Sequence, residues 1–282
     1  MKPLPNLKVG IAQMAPEAGN ISANIAKHKE FILQAAKAGV ELLVFPELSL
    51  TGYEFDEDFP DKAISREDEL FAELSNLAPE MRIIIGFVEE SESSLFYNSV
   101  AKIYRGNVDF VHRKINLPTY GDLNEDKWFS EGRNIESFIV DHWRAGILTC
   151  ADLWNPALVN LVALHGAKLL IAPINSADGS VKFDNQSNWK RTVSFYSFIY
   201  AMPVIMANRV GMEGKNKFWG GSCIYGPTGE LIAEGAKYDE DLVVGEIEWA
   251  TVKRARFDLP TLRDANFSLV LREMRRLDDK LT

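Results

Sequence analysis

The sequence predicts an α/β fold, with a sheet system covered by helices. Short apolar runs typical of buried strands alternate along the chain with longer segments whose apolar residues recur at helical spacing. A strand at 9–14, a helix at 20–38 and a strand at 40–45 make a β-helix-β passage, the unit of a parallel sheet with a right-handed crossover. The alternation continues through two similar halves without a linker, so we expect one domain over residues 1–282, with a charged tail from about residue 258.

The predicted elements have recognisable starts and stops. Asn20 is a suitable N-cap for the first helix, and Gly39 follows where a helix end favours a positive φ. Arg105-Gly106-Asn107 is a hairpin turn signal between two strands. Further strands are predicted at 82–88, 95–104, 108–111, 135–140, 145–149, 168–174, 203–207, 218–225, 231–233 and 242–247, and further helices at 66–77, 157–165, 189–201 and 249–257.

Composition excludes several classes of function. The chain has 282 residues, is 46% hydrophobic and carries a formal net charge of −9, which argues against a nucleic-acid binder with a basic face. No apolar run reaches the length of a membrane span, and the first residues lack the apolar core of a signal peptide. Two cysteines make no disulfide framework and suit a reducing compartment, so we expect a cytoplasmic protein.

Cys150 lies where an apolar strand ends and a turn begins. The run Ala145 to Leu148 leads through Thr149 to Cys150, and Pro156 opens the next helix. Ligands bind at this end of the strands in an open α/β sheet, and a turn can hold a thiol outside the core as a nucleophile. The alternative is a small buried side chain, which is common for a free cysteine. The same alternative is favoured for Cys223, within a predicted hairpin strand.

Two further charged residues follow predicted strands. Glu47 comes directly after the predicted strand Val40 to Phe45 and Pro46, where burial would raise its pKa and suit a general base. Lys114 follows the hairpin. Taken alone, a solvated loop carboxylate and a surface lysine remain the alternatives. The four histidines show no short metal-ligand spacing, and no glycine-rich phosphate loop is present, so no metal or cofactor is expected.

Taken together, the three segments resemble the nitrilase superfamily of carbon–nitrogen hydrolases. They are Phe-Pro-Glu-Leu-Ser-Leu-Thr-Gly-Tyr around Glu47, Arg-Lys-Ile-Asn-Leu-Pro around Lys114 and Leu-Thr-Cys-Ala-Asp-Leu-Trp-Asn-Pro around Cys150. The opening Val-Gly-Ile-Ala-Gln-Met, the Gly-Gly-Ser before Cys223 and the Pro-Thr-Gly-Glu hairpin are also similar. The resemblance implies a four-layer α-β-β-α sandwich.

The resemblance also implies roles for the site residues. Cys150 would attack the carbonyl carbon, Glu47 would act as general base, and Lys114, with a backbone N–H just after Cys150, would stabilise the oxyanion. Members of the family often carry a second glutamate after the lysine. Glu125 is the preferred match and Glu131 the competitor.

The expected activity is cofactor-independent hydrolysis of a small linear amide, releasing ammonia or an amine. The alternatives are hydrolysis of an N-carbamoyl amine or amino acid and, more remotely, a non-catalytic binding member of the same fold. Enzymes of the family that act on nitriles commonly have Trp and Glu directly after the nucleophile, and many amidases have Tyr there. Ala151 and Asp152 depart from both patterns. Candidate substrate-binding residues are Tyr53, Ala151, Trp154 and Asp178.

The expected partners follow from the same resemblance. A small amide or carbamoyl compound is the expected ligand, with neither nucleic acid nor membrane as a partner. Members of the family usually pair through a helical face, and the C-terminal tail often crosses to the partner, so the resemblance implies a homodimer or a larger homo-oligomer. The pocket walls are expected from loops at 53–62, 119–131, 175–189 and 208–217.

Overall fold

The computed structural model describes residues 5–53, 58–121, 123–179 and 184–281. Its helices are α1 (Ile21–Lys37), α2 (Glu69–Asn76), α3 (Pro156–Leu164), α4 (Asn185–Ile199), α5 (Trp249–Asp258) and α6 (Phe267–Leu281). Its strands are β1 (Leu7–Gln13), β2 (Leu42–Val44), β3 (Arg82–Glu90), β4 (Phe96–Tyr104), β5 (Asn107–Arg113), β6 (Ser137–Val140), β7 (Trp143–Ile147), β8 (Leu169–Ile174), β9 (Ala177–Asp178), β10 (Val204–Asn208), β11 (Val210–Glu213), β12 (Asn216–Trp219), β13 (Cys223–Tyr225), β14 (Leu231–Glu234) and β15 (Asp241–Ile247).

Two six-stranded mixed sheets form the centre of the molecule. The first has the order β15-β1-β2-β3-β4-β5, and β1, β2 and β3 run parallel. The second has the order β14-β13-β10-β8-β7-β6, and β7, β8 and β10 run parallel. Antiparallel strands flank the parallel centre of each sheet. A small third sheet has the order β11-β12-β9.

The two large sheets pack face to face around a shared apolar core. Leu42 and Val44 of β2 belong to this core together with Ala145 of β7 and Ile171 of β8. Between them, Leu43 points the other way and packs with helix residues, as the alternation of side chains along a strand requires. Each sheet therefore has one face against the other sheet and one face against helices.

Helices cover the outer face of each sheet. Phe31 and Ile32 of α1 and Phe71 of α2 pack in one cluster on the first sheet. Val159 of α3 and Val193 of α4 pack in another cluster on the second sheet. The layers are thus helix, sheet, sheet and helix, and the four-layer α-β-β-α prediction is confirmed. Among the residues that the structure describes, no helix is long and apolar enough to cross a membrane.

Two elements differ from the sequence prediction. The strand predicted at 218–225 is interrupted, because Gly220 and Gly221 have φ values of +68° and +57°. The chain turns there, so β12 and β13 belong to different sheets. The tail also contains a helix, α6, in which apolar residues share one face among many charges.

Gly86 of β3 lies against the turn that carries Glu47. A Cβ at this position would lie 2.4 Å from the backbone nitrogen of Leu48 and 2.6 Å from the carbonyl oxygen of Pro46. These are backbone atoms, so the whole turn must shift. We expect Gly86→Ala to lower the free energy of unfolding by about 1–3 kcal/mol, measured by urea denaturation.

Gly245 of β15 is a matched control for this change. A Cβ there would meet only side-chain carbons, the nearest being Cδ1 of Ile224 at 3.0 Å. Side chains can move aside, and alanine also lowers the entropy of the unfolded chain, so Gly245→Ala should cost less than about 1 kcal/mol. Equal costs for the two variants would contradict the close approach at Gly86.

Candidate active site

Cys150 lies in the turn between β7 and α3. It begins a short 3-10 helix, Cys150–Trp154, and its φ is +45°. This conformation is uncommon for a residue with a Cβ and costs of the order of 1–3 kcal/mol, and such strain is concentrated at functional sites. Cys150 is partly exposed in a cavity wall, whereas Cys223 in β13 is fully buried.

Lys114 is a fully buried cation that bridges two carboxylates. It follows β5, and its Nζ donates to Oε1 of Glu47 and to Oε1 of Glu125, both at 2.7 Å. Burial opposes its charge, but the carboxylates of Glu125 and Glu47 outweigh this effect and raise the pKa of Lys114 well above its usual value. Lys114 is therefore a fixed positive charge at neutral pH.

Glu47 has one carboxylate oxygen that accepts hydrogen bonds and another that has no partner in the part of the chain that the structure describes. It follows β2 through Phe45 and Pro46 and is fully buried. Its Oε1 accepts hydrogen bonds from Lys114 and from Nδ2 of Asn98, the latter at 2.8 Å. Its Oε2 is buried and has no hydrogen-bond partner among the described residues. This arrangement fixes the carboxylate and leaves one oxygen able to accept a proton.

Glu125 completes the charged cluster. It begins the 3-10 helix Glu125–Lys127, and its Oε1 accepts hydrogen bonds from Lys114 and from the hydroxyl of Tyr53. Burial raises the pKa of Glu125, and Glu47 adds to this effect while Lys114 opposes it. Glu131 is exposed and lines a different cavity. The structure therefore brings Glu125, and not Glu131, to Lys114.

The thiol of Cys150 is protonated in the resting site. Burial is the largest cause that raises its pKa well above the usual range, and the charge of Glu47 raises it further. Lys114 and a hydrogen bond from the backbone of Asn175 act in the opposite direction but do not outweigh burial. The thiolate must therefore be formed by a neighbouring base during the reaction, since little of it is present beforehand.

A cavity of about 620 Å³ opens beside Cys150 and Glu125. Each of the four loops predicted as walls contributes to it, within the parts of those loops that the structure describes. No group of three or more His, Cys, Asp or Glu side chains within the described ranges is arranged to hold a metal ion. The cavity is lined by Tyr53, Pro118, Tyr120, Leu123, Asn124, Glu125, Trp128, Cys150, Trp154, Asn175, Ser176, Ala177, Asn185, Trp189, Glu213, Gly214, Lys215, Asn216 and Phe218.

Of the four substrate-binding residues predicted from the sequence, two line the cavity. These are Tyr53 and Trp154. Ala151 is buried, and Oδ2 of Asp178 accepts a hydrogen bond from the hydroxyl of Tyr238 at 2.9 Å. Neither residue lines the cavity. A role of Ala151 or Asp178 in substrate binding stays a prediction.

Asn175 and Glu213 are among the polar residues of the cavity wall that were not singled out from the sequence. Asn175 follows β8, and both polar atoms of its side-chain amide are buried without a partner among the described residues. Its place after a buried strand is the same signal that identified Cys150. Glu213 pairs with buried Arg209 and accepts the backbone N–H of Tyr53 at 2.6 Å. Its position depends on β11 and β12, whose turn was not predicted.

Comparison with known proteins identifies the family. Residues 8–257 match the model of the carbon-nitrogen hydrolase family. The chain belongs to this family. The resemblance inferred from the sequence is confirmed, and with it the class of enzyme, a hydrolase of carbon–nitrogen bonds other than peptide bonds.

Individual relatives differ in name and in length. The chain is 33% identical to a probable nitrilase of Schizosaccharomyces pombe over 80% of this chain and 84% of that protein. It is 28% identical to an N-carbamoylputrescine amidase of Arabidopsis thaliana, over 87% of this chain and 88% of that protein. The chain is also 28% identical to a glutamine-dependent NAD(+) synthetase of Thermotoga maritima. That match covers 86% of this chain but only 42% of the longer Thermotoga protein.

A solved structure supports the same fold. The crystal structure of a carbon-nitrogen hydrolase from Helicobacter pylori G27 superposes with a TM-score of 0.85 at 24% sequence identity. The match covers 93% of this chain and 96% of the Helicobacter chain. At this level of identity, the likeness concerns the fold alone.

Proposed function

We propose that the protein hydrolyses the terminal carbon–nitrogen bond of a small linear amide through a thioester on Cys150. The observation that carries the proposal is the contact of Lys114 with both Glu47 and Glu125 beside a thiol in a cavity wall. One oxygen of Glu47 has no described partner, so a proton acceptor is present next to the fixed cation. These are the parts that nucleophilic attack on an amide needs.

In the first half of the reaction, Glu47 takes the proton from Sγ of Cys150. The thiolate attacks the carbonyl carbon, a C–S bond forms, and the π electron pair moves to the carbonyl oxygen. Lys114 and the backbone N–H of Ala151 stabilise this oxyanion. When the carbonyl re-forms, the C–N bond breaks, and the nitrogen takes the proton from Glu47 and leaves as ammonia or an amine.

In the second half, water hydrolyses the thioester. Glu47 takes a proton from the water, and the resulting hydroxide attacks the thioester carbonyl. The same donors stabilise the second oxyanion. The C–S bond then breaks, and the proton on Glu47 returns to Sγ, so that the carboxylic acid leaves and the thiol is restored.

The unpartnered groups in the wall favour a substrate that ends in an unsubstituted –CO–NH₂ group. Within the described ranges, the side-chain amide of Asn175 has a donor and an acceptor without a partner, and Oε2 of Glu125 is a buried acceptor without a partner. A primary amide supplies both a carbonyl acceptor and N–H donors to such groups. The cavity of about 620 Å³ leaves room for the rest of the molecule.

An N-carbamoyl amine or amino acid is the second candidate, because it also ends in –CO–NH₂. The name of the Arabidopsis relative, N-carbamoylputrescine amidase, supports this alternative. Here the products would be the free amine, carbon dioxide and ammonia. A non-catalytic binding role is disfavoured, since Glu47, Lys114 and Cys150 are all present and Lys114 contacts Glu47.

Ammonia release from a substrate panel tests the proposal. The panel contains small primary amides, N-carbamoyl amines and nitriles, with mass spectrometry of the trapped acyl-enzyme on Cys150. We expect ammonia from primary amides without carbon dioxide. Release of both from carbamoyl compounds would instead support the second candidate, and turnover of nitriles alone would contradict both.

Tyr53 is expected to act through Glu125. Its hydroxyl donates to the same carboxylate oxygen that accepts from Lys114, and burial followed by the charge of Glu125 raises the pKa of Tyr53 well above its usual value. Tyr53→Phe leaves Glu125 one donor short and frees its carboxylate to rotate. We expect kcat to fall about tenfold, equivalent to a hydrogen bond of about 1.4 kcal/mol, measured on the best amide of the panel.

Tyr104 provides the matched control for Tyr53. Tyr104 is the last residue of β4, and its hydroxyl donates to the exposed carboxylate of Glu80. Tyr104→Phe removes the same kind of hydrogen bond but should leave kcat within about twofold. A tenfold loss in both variants would show that the effect of Tyr53 is not specific to the site.

We further propose that the protein forms a homodimer or a larger homo-oligomer in the cytoplasm. Helix α6 exposes Phe267, Val270, Met274 and Leu277, which a second copy would cover. Cys150 and Cys223 are both free thiols, which supports a reducing compartment. Analytical ultracentrifugation of Met274→Lys should show a shift towards monomer, and an unchanged mass would overturn the assignment of α6.

A further inference from the structure

Asp152 lies beside the nucleophile, yet the reaction outlined above does not use it. It is the third residue of the Cys150–Trp154 helix and is fully buried. A buried carboxylate is costly unless its oxygens are hydrogen-bonded. Those of Asp152 receive four N–H donors from two separate parts of the chain.

One oxygen fixes the turn of the nucleophile. Oδ2 of Asp152 accepts the backbone N–H of Thr149 at 3.0 Å, while the backbone N–H of Asp152 donates to the carbonyl of Thr149 at 3.0 Å. These reciprocal bonds close the turn around Cys150, whose φ of +45° needs such support.

The other oxygen fixes the chain just after the catalytic lysine. Oδ1 of Asp152 accepts the backbone N–H of Ile115 at 3.0 Å and that of Asn116 at 2.7 Å. Since Lys114 directly precedes these residues, one carboxylate ties the backbone of the oxyanion-stabilising cation to the backbone of the nucleophile. Hydrogen bonds to a charged acceptor are stronger than those between neutral groups, so the connection is stiff.

His112, in β5, provides the fourth hydrogen bond to the carboxylate of Asp152. Its Nε2 lies 3.1 Å from Oδ2 of Asp152 and donates to it, because a carboxylate oxygen is an acceptor. The ring is buried, so this contact also holds the carboxylate in place within the core.

We propose that Asp152 is a positioning residue that sets the distance between Sγ of Cys150 and Nζ of Lys114. An error of about 1 Å in such a distance can cost about 100-fold in rate. This inference rests on the function proposed above, since it assigns Asp152 a part in the same site.

The test replaces Asp152 with asparagine. The amide keeps one acceptor oxygen but sets an N–H₂ group against two of the four donors, so one of the two chain segments is released. We expect kcat for the best amide to fall about 100-fold while KM stays within about threefold, because the cavity wall is unchanged. The rate of alkylation of Cys150 by iodoacetate, which has no amide group, should fall about tenfold at fixed pH.

Glu89→Gln is the matched control. Glu89 is also a buried carboxylate with several donors, from Ser99 at 2.6 Å and from Arg113 at 2.7 and 2.8 Å, but none of them belongs to the Cys150 turn. We expect it to lose stability with kcat retained within about threefold. A folded Asp152→Asn enzyme with kcat within twofold of wild type, or an equal loss in Glu89→Gln, would overturn the proposal.

His112 keeps the proposal testable if Asp152→Asn does not fold. His112→Phe removes one of the four bonds, and we expect kcat to fall about fivefold. His112→Gln restores a donor and should recover most of this loss, whereas equal activity of both variants and wild type would contradict the proposal. Alkylation needs no substrate, so slower alkylation of Asp152→Asn beside an inactive wild type would refute the proposed function and not the positioning role.

Discussion

Replacement of Cys150 by alanine is expected to abolish turnover of every substrate that the wild type hydrolyses. Without Sγ no thioester can form, and neither Glu47 nor Lys114 can replace a nucleophile. We expect kcat to fall by at least about 10⁴-fold, with substrate binding retained because the rest of the cavity wall is unchanged. Ammonia release measures the rate, and calorimetric titration with the same amide measures binding.

The second cysteine provides the control for this experiment. Cys223 is fully buried in β13 and packs in the core between the second sheet and its helices. Cys223→Ala should lose some stability through the cavity it leaves but keep kcat within about twofold. Retained turnover in Cys150→Ala would show that another group attacks the amide.

The pH dependence of the thiol is part of the same prediction. Because burial raises the pKa of Cys150, its thiol ionises only in alkaline solution when no substrate is bound. Alkylation of the resting enzyme by a reagent with no amide group, such as iodoacetate, should therefore keep increasing through pH 9. A plateau near neutral pH would indicate a preformed thiolate and would contradict proton transfer to Glu47 during the reaction.

Much of the fold was predictable because the buried strands are short apolar runs that end at polar residues. The apolar runs that end before Glu47, Cys150 and Asn175 form β2, β7 and β8, which belong to the parallel centre of the two sheets. Their ends mark where polar side chains can reach a ligand. The order of these strands in space, however, depends on pairings between distant segments such as β1 and β15, which local periodicity does not encode.

The charged cluster was predictable only in part. Sequence motifs identified Glu47, Lys114 and Cys150, but the choice between Glu125 and Glu131 needed the path of the loop. That path places Glu125 at 2.7 Å from Lys114 and leaves Glu131 exposed. The contribution of Asp152 could not be predicted, because its partners Ile115 and Asn116 come from another strand end. A hydrogen bond between a side chain and the backbone of a remote segment leaves no pattern in the sequence.

Replacement of Lys114 by methionine is expected to affect both stability and rate. Methionine has similar length but no charge, so the buried carboxylates of Glu47 and Glu125 lose the cation between them. Removing one partner from a buried ion pair costs about 3–5 kcal/mol. Loss of an oxyanion donor should lower kcat about 10²–10³-fold in addition. Urea denaturation and ammonia release measure the two effects separately.

The loss of stability in Lys114→Met should depend on pH in a defined direction. In the wild type, burial and the charge of Glu47 raise the pKa of Glu125 while Lys114 opposes them, so removing the cation raises this pKa further above its value in the unfolded chain. The folded protein then binds protons more tightly than the unfolded chain, so its stability is retained at low pH and falls as pH rises through the raised pKa. We expect the variant to be closest to wild type near pH 5 and furthest from it near pH 8.

Lys102→Met is the control that distinguishes this effect from the general cost of removing a buried lysine. Its Nζ lies 2.7 Å from Oδ2 of Asp109, and Lys102 itself is buried, but the side chain of Asp109 is 41% exposed. Water can solvate that carboxylate when the lysine is removed, so Lys102→Met should cost about 1 kcal/mol or less, with no change in kcat. If the two variants were equally destabilised at every pH, the charge of Lys114 would not be what stabilises the buried carboxylates around it. A large loss confined to Lys114→Met and increasing with pH would instead show that the charge of this lysine stabilises the two buried carboxylates that it contacts, one of which is the proposed base.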